Sequence, residues 1–139
     1  MSMTARARRV AGGLRHEVEV NGRHTIVTDE PAGLGGSDTG PAPHELLPAA
    51  LASCVSTMVA LYARRHDWDV GDLSVDVAYN PDASPRTVDL TLHLPDTLSE
   101  QQVARLRRVA DTCPVRRALE SAFTFDERIA AEPPLSLSS

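Results

Sequence analysis

The sequence predicts an α+β fold in which antiparallel β-hairpins pack around one long, buried central helix. Three observations carry this expectation. Residues Leu14–Val20 alternate and run into Asn21-Gly22, residues from His44 to about Arg65 are apolar or small on nearly every helical face, and Leu73–Tyr79 and Val88–Leu94 alternate again across a turn. The order ββ-α-ββ-α-α-β holds no repeat and no linker, so a single domain over residues 1–139 is expected, with 1–10 and 130–139 as frayed tails.

Taken in order, Leu14, His16, Val18 and Val20 share one strand face, and Arg15, Glu17 and Glu19 the other. Asn21-Gly22 is a strong hairpin signal, because a type I′ turn needs positive φ at both central residues, and Arg23–Thr28 is then the returning strand. Asp29–Pro43 is a loop of fifteen residues rich in Gly, Pro, Ser and Asp, a length that is often functional. The following helix carries Leu46, Leu47, Leu51, Cys54, Val55, Met58, Val59, Leu61 and Tyr62, so it reads as buried all round. Pro48 fits that helix only in its first turn or at a bend, and Arg64 and Arg65 suit the negative end of its dipole. After the second hairpin, Ser99 and Gln102 form a capping box for a helix carrying Val103, Leu106 and Ala110. Cys113-Pro114 reads as an N-cap with proline at the first helical position, opening a short helix over Val115–Ala122. Phe123–Ile129 reads as a last strand. The remaining elements offer little to cover a helix apolar on all sides, so a homodimer is expected.

Composition excludes several functions. The 139 residues carry a net charge of -5 with two Phe, two Tyr and one Trp, which makes a poor nucleic-acid binder. No apolar run reaches the ~18 residues of a membrane span, and no apolar h-region follows Met1–Val10, so a soluble chain without a secretory signal is expected. All 14 basic residues are arginine, which excludes a Schiff-base, P-loop or kinase-type lysine. The stretch Gly33–Gly40 does not match G-x-G-x-x-G, Ser53 and Ser56 lack a nucleophile elbow, and the five histidines show no ligand spacing. No metal or bound cofactor is expected.

The two cysteines, 59 positions apart, remain. By position alone Cys54 is a small core hydrophobe, whereas Cys113 at a helix N-cap faces free amides and the positive dipole end, and reads either as a thiol placed to ionise or as a capping residue of modest reactivity. Glu45 precedes Cys54 by nine residues, about 180° around a regular helix and ~13.5 Å along it. It therefore cannot reach its own Cys54 unless Pro48 interrupts the helix. Otherwise it serves a site completed by another subunit, or simply favours the helix N-terminus electrostatically.

The motifs Asp29-Glu-Pro31, Gly35-Gly-Ser-Asp-Thr-Gly-Pro-Ala-Pro43, Glu45-Leu-Leu47, Ala49-Ala-Leu-Ala-Ser-Cys54 and Cys113-Pro-Val115 together resemble the OsmC/Ohr family over roughly residues 14–129. The resemblance implies an OsmC-like fold, an intertwined homodimer, and cysteine-based reduction of organic hydroperoxides in oxidative or osmotic stress defence. Cys54 would be the peroxidatic thiol and Cys113 the resolving one, with an external dithiol such as a lipoyl group as reductant and the cytoplasm as the compartment. Peroxidase members place a glutamate where this chain has His44, with Glu45 next to it, and use an arginine to hold the thiolate. The loop Asp29–Pro43 has no arginine, which leaves Arg15 and Arg23 on the first hairpin as substitutes, and Arg116 and Arg117 as further candidates. Leu47, Leu51, Val55 and Met58 would wall the substrate site. The alternative is a small-molecule binding module that keeps the fold without peroxidase turnover.

Overall fold

The computed structural model describes residues 2–130. Three strands come first: β1 (Ala5–Arg9), β2 (His16–Val20) and β3 (His24–Thr28), paired antiparallel in that order. Asn21 and Gly22 both have positive φ, 51° and 67°, so the β2–β3 turn takes the backbone that Asn-Gly encodes. The N-terminal stretch expected to fray is instead a strand. Its sequence Ala-Arg-Ala-Arg-Arg has no apolar face, but its register sets Arg6 opposite Glu19 and Arg8 opposite Glu17, and Arg8 and Glu17 form an ion pair. Cross-strand charge pairing makes this strand, not burial.

A loop then leads through two 3-10 turns, Ala32–Leu34 and Pro43–Glu45, into α1 (Leu46–Arg65). Pro48 falls in the first turn of α1, where its missing N–H costs nothing. The helix buries one stripe, Leu51, Val55, Val59 and Ala63, at the i, i+4 spacing, against β4 (Ser74–Tyr79) and α2 (Glu100–Ala110). It is not buried all round: within one chain Ala49, Ala50, Ser53 and Thr57 stay exposed and Leu47 is 36% exposed. The segment Pro43–Arg65 is also long and apolar enough to cross a membrane, contrary to the expectation from sequence. Ala, Ser, Thr and Cys between the large side chains break any strict apolar run, yet no charge falls between Glu45 and Arg64, so the segment meets a criterion of length and composition that the core helix of a soluble protein meets as well. Here the helix serves as the core element.

β4 pairs with β5 (Val88–His93), setting Val75 opposite Leu92 and Val77 opposite Leu90 on the helix-facing side. Ser99 caps α2 as expected: its hydroxyl accepts from the Gln102 N–H at 3.1 Å, and Gln102 Oε1 accepts from the Ser99 N–H at 2.8 Å. Cys113 is the N-cap of α3 (Pro114–Leu119), with the proline at the first helical position. The core joins Leu51, Val55 and Val59 to Leu106, Ala110 and Cys113. Residues Phe123–Ile129 form no strand. They follow α3 without joining either sheet, leaving Phe125 and Ile129 88% and 96% exposed. The expected tail beyond residue 130 lies outside the described residues.

Candidate functional site

The α1–α3 packing brings the two cysteines together. Cys54, midway along α1, is half-buried, whereas Cys113 at the head of α3 is wholly buried; both are free thiols. Cys54 packs against the core cluster that holds Cys113, and its thiol is influenced by the Cys113 side chain and the Val115 backbone N–H. Burial pushes the Cys54 thiol up, the neighbouring Cys113 thiol pushes it further, and the Val115 N–H opposes both without reversing them. Among the described residues no guanidinium acts on Cys54.

Within one chain Glu45 is not among the groups that act on the Cys54 thiol. Its Oε1 accepts from the Ala42 N–H at 2.8 Å, closing the 3-10 turn ahead of α1, which is the local N-terminal role. His44, which occupies the glutamate position of the resemblance, shares a 3.3 Å hydrogen bond with the Tyr79 hydroxyl on β4. Arg15 is half-buried just before β2, and Arg23 is exposed in the β2–β3 turn. The sheet that carries them has no extensive packing against α1 of the same chain. Arg117 is exposed, and Arg116 Nη1 donates to Asp111 Oδ1 at 2.8 Å. Of the expected pocket walls, Val55 is sealed in the core, Leu51 borders a cavity described below, Met58 packs half-buried on the core, and Leu47 is partly exposed.

The glycine-rich loop before α1 has an organiser that sequence reading left without a role. Asp29 is buried, and its carboxylate accepts from the Thr39 hydroxyl at 2.6 Å, the Glu30 N–H at 2.8 Å and the Thr39 N–H at 3.1 Å, with the Ser37 N–H at 3.5 Å. The Thr39 hydroxyl above all, then the Glu30 N–H, bring its carboxyl down from 3.8 to about 2 against the opposing effect of burial. The only hint in the sequence was an aspartate at a strand end facing a loop full of free amides. Because the folded pKa lies below the unfolded one, this carboxylate stabilises the fold above pH 3.8, and the contribution is lost as pH falls towards 2. The melting-temperature gap between wild type and Asp29→Asn is therefore expected to narrow across that window. A gap that stays constant there contradicts the assignment.

The arrangement is thus an α+β scaffold holding one accessible and one buried thiol together across two helices. A family model described as OsmC-like protein matches residues 35–128, and the chain belongs to that family. Among solved structures, it is similar to a candidate osmotic stress induced and detoxification response protein from Psychrobacter arcticus, at 26% identity and TM-score 0.71, covering 85% of this chain and 88% of that one. It also resembles the organic hydroperoxide resistance protein OsmC from Legionella pneumophila, at 23% identity and TM-score 0.61, covering 86% and 89%. The organic hydroperoxide resistance protein OhrB of Bacillus subtilis matches at 21% and 0.52, covering 85% and 90%. The last two establish the shared fold. A search of the curated proteins finds no match.

Proposed function

We propose that this protein reduces organic hydroperoxides through Cys54 and Cys113. The carrying observation is the packing of a half-buried Cys54 against the core cluster that holds a wholly buried Cys113, close enough for the Cys113 side chain to influence the Cys54 thiol. The greater accessibility of Cys54 supports giving it the first step. The Cys54 thiolate attacks the peroxide oxygen, giving a Cys54 sulfenic acid and an alcohol. The Cys113 sulfur then displaces hydroxide, which leaves as water, and a disulfide forms. An external dithiol, of which a lipoyl group is one example, returns both sulfurs to thiols and is itself oxidised to a disulfide. No bound cofactor or metal takes part, and a reducing compartment such as the cytoplasm suits the resting dithiol.

The working unit in this proposal is a homodimer. Leu14 just before β2 and Ile26 on β3 are each 40% exposed, and the outer face of α1, with Leu47, Ala49, Ala50, Ser53 and Thr57, is uncharged and uncovered. A second copy laying its first sheet against this α1 covers both surfaces and brings its Arg15 and Arg23 towards Cys54. Sedimentation at micromolar concentration is expected to give a dimer; a monomer contradicts this arrangement.

A second reading has one observation in its favour: no guanidinium of the same chain offsets the upward push on Cys54. A scaffold that binds small molecules without turnover fits that fact. Consumption of cumene hydroperoxide with dithiothreitol as reductant separates the two. Turnover that Cys54→Ser abolishes supports the enzyme, and absence of turnover in the wild type supports the scaffold.

A further inference from the structure

Between α1, β5 and α3, and lined by neither cysteine, lies a cavity of about 350 Å³. Its wall is apolar: Leu51 of α1, Val88 and Leu90 of β5, and Leu119 at the end of α3. Its polar members are Arg86, Arg116 and Glu120. Arg116 is already compensated, since it donates to Asp111 at 2.8 Å and its Nε lies 3.7 Å from Glu120 Oε2. Arg86 has no carboxylate within 4.0 Å among the described residues. The cavity is thus a surface groove that combines a solvent-exposed guanidinium, free of any carboxylate partner among the described residues, with a leucine and valine wall of which Val88 and Leu119 are themselves 43% and 42% exposed, at a volume within the ~300–1,000 Å³ range of small-molecule sites.

We infer that this cavity binds a small monocarboxylate with an apolar body, its carboxylate paired with Arg86 and its body laid on Leu51, Val88, Leu90 and Leu119. The guanidinium fork matches a carboxylate in two parallel N–H···O bonds, which a neutral head group cannot reproduce. The other charges of the lining are occupied with one another, Arg116 with Asp111 and Glu120, which leaves Arg86 to meet a single ligand charge. Leu51 lies one turn ahead of Cys54, so an occupant packs on the peroxide-reading helix, yet its binding requires neither thiol.

The test is a calorimetric titration of octanoate into the full chain, with octanol as the uncharged counterpart. Saturable octanoate binding is expected. It is expected to weaken about tenfold for octanol and for Arg86→Gln, the loss of roughly one charge-assisted pair. Arg86→Lys is expected to recover part of the affinity, which separates a lost charge from a disturbed fold. The Cys54→Ser variant is expected to bind as the wild type does, so the outcome is independent of peroxide chemistry. No saturable binding at millimolar octanoate, as when a second copy fills the cavity, overturns the inference. Equal affinity for octanol or in Arg86→Gln overturns it too.

Discussion

Cumene hydroperoxide is expected to consume no thiol in a Cys54→Ser variant and one thiol in a Cys113→Ser variant, where it stops at a sulfenic acid. The asymmetry follows from packing. Cys113 is wholly buried in the core with Leu106 and Ala110, whereas Cys54 keeps part of its surface open. A serine at 54 leaves the peroxide nothing to meet, and a serine at 113 removes only the second sulfur. Mass spectrometry with a sulfenic acid trap reads both results directly. The pH dependence has a definite sign as well. Burial first, and the Cys113 side chain next, raise the Cys54 thiol, so the reactive thiolate is the minority form at neutral pH. The rate of Cys54 oxidation is expected to climb about tenfold per pH unit below that pKa. A guanidinium delivered by a second copy lowers the pKa and flattens the climb, so the slope at dilutions that part a dimer is expected to exceed the slope at high concentration.

Gly36→Ala is expected to be the most damaging single-methyl change in the chain. An added Cβ at residue 36 would stand 1.9 Å from the Glu30 carbonyl oxygen and 2.5 Å from its carbon, and backbone cannot swing aside as a flexible side chain can. The position is fixed from both directions. The Gly36 N–H donates to the Pro31 carbonyl at 3.1 Å, and the Asp38 N–H donates to the Glu30 carbonyl at 3.0 Å, while Asp29 gathers the amides on either side. Relieving the clash breaks that set, at a cost of about 2–4 kcal/mol. Gly33→Ala serves as the control, since nothing lies within 4 Å of its Cβ. Thermal unfolding that places the two variants together contradicts this account of the loop.

The contrast between these residues shows what a sequence makes legible. Periodicity exposed the helix, both hairpins and the Asn21-Gly22 turn, because apolar side chains at fixed spacing must find a core. Cys113-Pro114 was readable as a helix start from local backbone chemistry alone. Strand β1 was not, since its alternation is arginine with alanine and becomes meaningful only beside Glu17 and Glu19 of the neighbouring strand. Nor was the unpaired state of Phe123–Ile129: the local pattern suits a strand, but a strand needs an edge to join, and the segment joins neither sheet of its own chain. The all-round apolar helix was read correctly as a pattern, yet a single chain covers only its Leu51–Ala63 stripe. At the site, the cysteine motifs were visible, whereas the buried Asp29 carboxylate and the unpaired Arg86 depend on distances that spacing cannot supply.

The central claim is that Cys54 and Cys113 act as one redox pair. A free-thiol count on reduced protein, before and after one equivalent of cumene hydroperoxide, tests it most directly. Two thiols falling to none, with an intramolecular disulfide that does not form in Cys54→Ser, is the result the packing of α1 on α3 leads us to expect. Two thiols surviving contradicts it, and the cavity beside Arg86 then becomes the first place to look for a ligand.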